Sequence, residues 1–167
     1  MSAVSIHRNN TCRLIVSYLQ YKYGLMSNTP LLFERTFNAP AAKVWQAITD
    51  HRQMKEWYFD LEDFKPEVGF FFEFSAGADD KQYVHLCEVT EVEPGKKLTY
   101  SWKYQGFPGE SFVTFELFPD GDKTRLVLTH RGLESFPSRD DKNFGIESFT
   151  AGWTQIIGTN LKQFLEK

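Results

Sequence analysis

Cysteine is scarce in this chain, which has only Cys12 and Cys87 among its 167 residues. The two lie far apart in sequence, and no secretory leader with a small-residue cleavage site is recognisable, so we expect both thiols to be reduced. Long apolar runs are also missing, since none approaches the roughly 18 residues that a membrane-spanning helix needs. These absences predict a cytoplasmic protein without membrane insertion.

Positive charge is in short supply as well. The chain has 19 Lys and Arg against 22 Asp and Glu, a net charge of −3, whereas nucleic-acid binding needs a concentrated basic surface. The phosphate-binding P-loop, the paired-glycine dinucleotide loop, the GxSxG nucleophile elbow and the HExxH zinc motif are all absent. The sequence therefore predicts no nucleic-acid partner and no cofactor, and it carries none of the strong enzyme signatures.

Aromatic side chains, in contrast, are abundant. Sixteen Phe, seven Tyr and four Trp make up 16% of the chain, which is more than a core of this size usually takes from that class. Either the core is unusually bulky, or some of the rings line a space that the protein itself does not fill.

The chain divides near Met26. Residues 1–26 show no clear pattern, and we expect either a poorly ordered extension or an upstream start-site artefact with Met26 as the natural first residue. Residues 27–167 are predicted to form a single domain. It begins with a strand over 31–38, followed by a helix that opens at Pro40 and a second short helix over residues 51–57.

The remainder alternates first with a strand period and then with a helix period. Six stretches have strand character and are separated by hairpin signals: about 58–65, 70–75, 82–93, 97–104, 111–118 and 124–131. Residues 143–166 then carry an apolar stripe typical of one long helix, made of Ile146, Phe149, Trp153, Ile156, Ile157, Asn160, Leu161 and Phe164. With seven strands and one long helix, we expect an α+β fold in which a curved antiparallel sheet wraps around the helix.

Strand alternation indicates which side chains face the helix. In the strand 97–104 the aromatic set faces inward, and in 111–118 and 124–131 the inward sets include Phe115 and His130. For 82–93 the pattern leaves the inward face open; we favour the set with Tyr83, His85 and Cys87 inside near the Tyr83 end, and a bulge could switch the register further along. Phe107 and Phe136 fall on the longer, glycine-containing loops at one end of the sheet, where we expect the mouth of an interior space.

Several short motifs follow one another in a fixed order: Ala39-Pro40, Val44-Trp45, Thr49-Asp50, Trp57, Val68-Gly69, Glu88-Val89, Leu98, Tyr100, Trp102, Val113 to Leu117, Thr124 to His130 and Gly152-Trp153. In this order and spacing they resemble the START/polyketide-cyclase/birch-allergen superfamily (SRPBCC), and within it the domains related to the activator of heat-shock protein 90 ATPase. The resemblance covers about residues 31–166. It implies a helix-grip fold with an internal hydrophobic cavity between the sheet and the C-terminal helix, with two short helices after strand 1.

The candidate ligand-binding residues are the inward rings and the polar groups among them: Phe72, Phe74, Tyr83, His85, Tyr100, Trp102, Tyr104, Phe115, His130 and Trp153. The His and Tyr side chains would orient a ligand within an otherwise apolar pocket. If the protein were an enzyme, His130 or His85 would be the acid–base residue, because imidazole titrates near neutrality. A metal site from His85, Cys87 and His130 is the weaker interpretation, since buried cysteine is commonly an inert apolar residue.

These residues predict a protein, monomeric or homodimeric, that binds a small hydrophobic or aromatic molecule without a cofactor or metal. Two alternatives stay open. One is an enzyme of the cyclase, aromatase or hydrolase type that uses the same pocket. The other is a chaperone ATPase-activating module; the family's co-chaperones have an additional N-terminal domain that carries much of the chaperone contact, and this chain lacks such a domain.

Overall fold

The computed structural model describes residues 29–78 and 81–167. Six antiparallel strands form one sheet in the order β1-β6-β5-β4-β3-β2, and a long helical segment packs across it. The strands are β1 (Leu31–Phe37), β2 (Phe71–Ala78), β3 (Lys81–Glu93), β4 (Lys97–Tyr104), β5 (Ser111–Asp120) and β6 (Lys123–Arg131). Two short helices, α1 (Ala41–Thr49) and α2 (His51–Trp57), follow β1. The α+β helix-grip fold expected from the sequence is confirmed.

The expected number of strands, seven, is wrong. The described residues form six, and residues 58–65 do not form the expected strand. This segment satisfies its backbone locally instead of pairing with a neighbour. The Leu61 N–H bonds to the Phe59 carbonyl, and the Phe64 N–H bonds to the Asp63 carboxylate. Leu61 and Phe64 are nevertheless buried. The apolar alternation that resembled a strand therefore reflects an irregular segment that plugs the core.

Burial shows which face of β3 points inward, and a break in its pairing with β4 changes that face near the end of the strand. Tyr83, His85, Cys87 and Val89 are all buried, so the favoured inward set is confirmed. The register then shifts between Val89 and Glu91, which places Val92 opposite the buried Leu98. A bulge of this kind inserts one residue and exchanges the two faces of the strand beyond it.

The C-terminal segment is helical but is not one uniform α-helix. It consists of 3₁₀ turns at Leu133–Ser135 and Lys142–Phe144, the helix α3 (Ile146–Gln155), a π-helical stretch Ile156–Leu161, and a last turn α4 (Lys162–Leu165). Among the described residues, no helix is both long and apolar enough to cross a bilayer.

The π-helical stretch corrects the predicted stripe. The side chains buried on this segment are spaced four apart: Phe149, Trp153, Ile157, Leu161 and Leu165. Four residues exceed one 3.6-residue α-turn, so such a repeat drifts around an α-helix. The wider i→i+5 turns of the π-helix offset this drift. As a result Leu165 is buried and Phe164 is only half-buried.

The short helices fix the segment that follows them. The Asp50 carboxylate caps α2 by accepting from the backbone N–H groups of Arg52 and Gln53, an arrangement typical of helix N-termini. The Trp57 indole donates to the Ala47 carbonyl over 2.9 Å. This anchoring sets the position of Phe59, whose ring reaches the space beneath the sheet.

The extension predicted for residues 1–26, with Cys12, lies outside the described residues.

Candidate functional site

A pocket of about 390 Å³ lies between the sheet and α3. Strands β2, β3 and β4 supply one wall, and the loop before α3 and α3 itself supply the other. The lining residues are Phe59, Ala76, Gly77, Tyr83, His85, Trp102, Tyr104, Asn143, Phe144, Ser148, Phe149, Ala151, Gly152, Trp153, Gln155 and Ile156. The volume lies within the range of small-molecule sites.

Half of the predicted ligand-binding residues line this pocket: Tyr83, His85, Trp102, Tyr104 and Trp153. Phe74 lies directly behind them, stacked on His85 with ring centroids 4.4 Å apart. Phe72, Tyr100, Phe115 and His130 are buried in the core and do not line the pocket. The pocket is therefore lined by the start of β3 and the end of β4. The inward residues in the middle of the sheet pack in the core instead.

The two loop phenylalanines expected at the mouth differ in exposure. Phe107 is 37% exposed and touches the rings of Tyr83 and Phe144, both of which line the pocket. Phe136 is only 4% exposed and packs against Tyr104 and Phe144. Phe107 thus lies near the rim, whereas Phe136 pins its loop to the core.

Sequence reasoning missed the polar side of the pocket, formed by Asn143, Ser148 and Gln155. These residues belong to the end of a long loop and to the helix face opposite the apolar stripe. No periodic signal marks such positions. Phe59 was also missed, because its segment was interpreted as a strand.

Gly152 opens the helix side of the pocket. A Cβ atom built on this residue meets no atom within 4 Å. This glycine therefore does not mark a close approach of the helix to the sheet. The closer approach lies six residues further on, where a Cβ on Gly158 would lie 3.5 Å from the Phe33 ring; the Arg35 guanidinium donates to the Gly158 carbonyl there.

The aromatic wall is a stack with fixed geometry. The Phe74 ring is nearly parallel to two neighbours, Phe59 at 4.2 Å and His85 at 4.4 Å, whose own centroids are 6.2 Å apart. Trp102 meets the His85 ring edge-on at 4.8 Å. Offset-stacked and edge-to-face contacts of this kind are the favoured arrangements of aromatic pairs, so the wall is preformed.

Both ring nitrogens of His130 are hydrogen-bonded within the protein. Its Nδ1 accepts from the Trp153 indole N–H at 3.1 Å, and its Nε2 lies 2.7 Å from the Ser111 hydroxyl. Because an indole N–H can only donate, Nε2 carries the proton and donates to Ser111, whose hydroxyl donates to the Trp102 carbonyl. Burial lowers the pKa of His130 to about 3, so the ring is neutral at pH 7.

His85 is neutral for the same reason. Burial lowers its pKa to about 4, although hydrogen bonding to the backbone of Tyr83 and Phe74 opposes this shift. Its Nδ1 lies 3.0 Å from the Tyr83 carbonyl, which can only accept, so Nδ1 holds the proton. With His85 neutral, no lining residue within 29–78 and 81–167 carries a formal charge at pH 7.

The charges nearest the pocket lie at its edge. Asp141 accepts from the Tyr83 hydroxyl and from Lys81, each at 2.5 Å, and Asn143 donates to the same hydroxyl. Hydrogen bonds from Lys81 and Tyr83 hold the pKa of Asp141 well below its usual range. This cluster ties the loop before α3 to the start of β3.

The metal interpretation of His85, Cys87 and His130 receives no support from the geometry. Over residues 29–78 and 81–167, no group of three or more His, Cys, Asp or Glu side chains is placed to hold a metal ion. Cys87 is free, and burial raises the pKa of its thiol.

Comparisons with known proteins place this arrangement in a family. Protein MLL2253 from Mesorhizobium loti is 33% identical over 82% of this chain and 96% of its own, with a TM-score of 0.68. Protein CV1439 from Chromobacterium violaceum shares the fold at 21% identity, covering 84% of this chain and 99% of its own with a TM-score of 0.70. No curated protein matches.

A third similar structure is DynU16, a protein in the dynemicin biosynthetic locus. It is 25% identical over 81% of this chain, with a TM-score of 0.66, but this chain spans only 46% of its length. The sequence pattern described as "Activator of Hsp90 ATPase homolog 1-like protein" matches residues 38–166. Since that match takes up most of the chain, the protein belongs to the family of Activator of Hsp90 ATPase homolog 1-like proteins.

Proposed function

We propose that this protein binds a small, uncharged hydrophobic or aromatic molecule in the pocket between β2–β4 and α3. The observation that carries the proposal is a preformed space of about 390 Å³ whose lining is dominated by aromatic rings and holds no formal charge. Transfer of apolar ligand surface out of water would supply the affinity, at about 25 cal/mol per Å². A charged ligand would lose its hydration without gaining a partner.

The enzyme and chaperone alternatives have less support. Of the two candidate acid–base residues, His130 has both ring nitrogens hydrogen-bonded within the protein and does not line the pocket. A chaperone contact through the outer sheet face would need a recognisable partner-binding surface, and the exposed Phe71 and Leu86 on that face do not define one. Ligand binding is therefore the function that the described residues support best.

Gly152 provides a direct test, because a side chain added there enters the pocket. The neutral fluorescent probe N-phenyl-1-naphthylamine should bind the wild-type protein saturably with one site per chain. Gly152→Leu should weaken probe affinity at least about tenfold, since the new side chain occupies ligand space. Thr154→Leu is the matched control: Thr154 is exposed on the same helix and does not line the pocket.

The proposal fails if Gly152→Leu binds the probe as tightly as the wild type while Thr154→Leu also leaves binding unchanged. Native mass spectrometry of freshly purified protein complements this measurement. A small molecule that co-purifies with the wild type and is lost in Gly152→Leu would identify the natural ligand.

A further inference from the structure

The β2 edge of the sheet is left without a partner strand. β2 is the last strand in the sheet order, and among the described residues its backbone is hydrogen-bonded to β3 alone. The segment 58–65, which precedes it, does not pair with it. Two rings of that segment pack instead against Phe72 and Phe74, which are buried on the inner face. The outer edge of β2 therefore keeps its backbone groups unpaired within the described residues.

The hydrogen-bond ladder shows which residues of β2 direct their backbone groups to this edge. The Val84 carbonyl accepts from the N–H of Gln105, beside β4, so Val84 faces away from β2. Bonded positions alternate along an antiparallel strand, so the next residue, His85, bonds to its partner Phe74 on β2. The β2 residues that alternate with Phe74 and direct their N–H and C=O groups to the open edge are Phe71, Glu73 and Ser75.

The residues of this edge are accessible. Phe71, Glu73, Ser75 and Gly77 are exposed, and because Gly77 has no side chain, its exposure is that of the backbone. Phe71 is 72% exposed, the highest value among the large apolar side chains of the described residues. Natural sheets protect an open edge with proline, lysine or inward-pointing charges. β2 has neither proline nor lysine, and Glu73 is its single charge, so little prevents a further strand from pairing here.

We propose that β2 pairs with β2 of a second copy of this chain, antiparallel about a two-fold axis beside Phe74, so that the two sheets become continuous. A two-fold interface uses the same patch on both copies, and one contact therefore closes both open edges. The interface is independent of the ligand proposed above.

The side chains at the edge select the register of this pairing. One register that matches the outward backbone groups places Glu73 opposite Glu73 of the second copy, where like charges repel. A shift of two residues places Glu73 opposite Ser75 of the second copy. The same shift places Phe71 opposite the exposed Gly77, whose bare Cα leaves room for the ring, a pairing that stabilises edge glycines.

Sedimentation velocity on the full chain tests the interface. A one-strand contact is at the small end of specific interfaces, so a monomer–dimer equilibrium should appear between about 5 and about 500 μM. Ser75→Pro removes one outward N–H that β3 does not use, and it should weaken the dimer at least about tenfold. Ser75→Ala keeps that N–H and is the matched control, with an expected change of less than about threefold.

A second pair of variants tests the side-chain contact. Phe71→Ser should weaken the dimer at least about tenfold, because it removes the apolar ring from the interface. Phe118→Ser is its control: Phe118 is also an exposed phenylalanine, but it lies on β5, away from the edge, and its loss should leave the dimer unchanged.

Hydrogen exchange of the wild-type protein, followed by NMR, does not depend on how well the variants fold. The amides of Glu73 and Ser75 should exchange at least about threefold more slowly at about 1 mM than at about 50 μM protein. The amide of Phe74, which bonds to β3, should be protected equally at both concentrations.

Three results would overturn the proposal. The first is a wild-type protein that stays monomeric up to about 500 μM. The second is a dimer that Ser75→Pro and Phe71→Ser leave unchanged, since its contact then lies elsewhere. The third is equal protection of the Glu73 and Ser75 amides at both concentrations, which would show that residues 58–65 or the segment before β1 cover the edge within one chain.

Discussion

The Trp153 indole donates to Nδ1 of His130 over 3.1 Å, inside the core. This bond joins the C-terminal helix to β6, and through the Ser111 hydroxyl it continues to β5 and to the backbone of Trp102. Four elements, α3, β6, β5 and β4, are therefore fixed to one another by polar contacts as well as by packing, and two of them, α3 and β4, line the pocket. A buried network of this kind stabilises the fold only while every member has its partner.

Loss of the His130 ring should affect stability more than ligand binding, because the ring does not line the pocket but packs against Trp102 and Trp153, which do. His130→Ala leaves the Trp153 N–H without an acceptor and opens a void, so we expect the free energy of unfolding to fall by about 3 kcal/mol. Urea titration measures the loss, with Thr129→Ala as the neighbouring control. Under conditions where the variant is folded, its affinity for N-phenyl-1-naphthylamine should fall by less than about threefold; a large loss of affinity at unchanged stability would instead place His130 in the binding site.

Stability should decrease as the pH falls from neutrality. The pKa values of His85 and His130 are about 4 and about 3 in the folded protein, below the value of about 6.5 in the unfolded chain. Below about pH 6.5 the unfolded state binds protons that the folded state does not, so each histidine lowers the free energy of unfolding by up to about 1.4 kcal/mol per pH unit. For His85 the loss ends near pH 4, and for His130 near pH 3.

Urea titrations between pH 7.5 and 5 would measure this slope in a window above the titration of most carboxylates. His130→Gln removes one of the two titrating rings and should reduce the slope by about half. Equal unfolding free energies at pH 7.5 and pH 5 in the wild type would contradict the buried, neutral state of both rings.

Cys87 should be unreactive in the folded protein. Its side chain is buried and its pKa is raised by burial, so little of the nucleophilic thiolate is present or reachable at pH 8. In a Cys12→Ser background, 5,5′-dithiobis(2-nitrobenzoic acid) should label this thiol at least about a hundredfold more slowly in buffer than in urea. Rapid labelling of the native protein would show that the Cys87 thiol is accessible in the folded state.

Gly152 and Gly132 should respond in opposite ways to alanine. A methyl group on Gly152 meets open space, and alanine is preferred to glycine in a helix by about 1 kcal/mol, so Gly152→Ala should raise the melting temperature. Gly132 has φ +84°, and a Cβ there would lie 2.9 Å from the Glu110 carbonyl oxygen. Gly132→Ala should therefore cost about 1–2 kcal/mol. Thermal denaturation of both variants checks the pair, and a destabilised Gly152→Ala would show that the pocket closes around this position.

Much of the fold follows from local pattern. Period-two alternation identified five of the six strands after β1 that were expected, and turn signals such as Pro119-Asp120-Gly121 separated β5 from β6 correctly. The exception, 58–65, alternates in the same way but pairs with no strand. Its backbone bonds within the segment and with the preceding helix, as from the Tyr58 N–H to the Met54 carbonyl and between His51 Nε2 and the Leu61 carbonyl. Alternation reports which side chains are buried, and it does not report whether the backbone has a neighbouring strand.

The candidate site was predictable only in part. Strand alternation assigned Trp102, Tyr104 and His85 to the interior, but it also assigned Tyr100 and Phe115 there with equal weight. The first group lies where α3 and its preceding loop diverge from the sheet, and the second lies where the helix packs closely. The distance between the sheet and the C-terminal helix depends on how the two pack together, and the sequence of neither one indicates it.

The sequence by itself determined the secondary structure of most elements, the inward faces of the strands other than β3 and the abundance of aromatic side chains, because these depend on composition and on periodicity along the chain. Only the tertiary structure decided where that interior is filled and where it is open. The π-helical turn after Gln155, the plug at Leu61 and Phe64, and the bare Cα of Gly152 together fix that boundary. Where the helix and the sheet separate depends on how elements distant in sequence pack against each other, and periodicity along one element does not encode that packing.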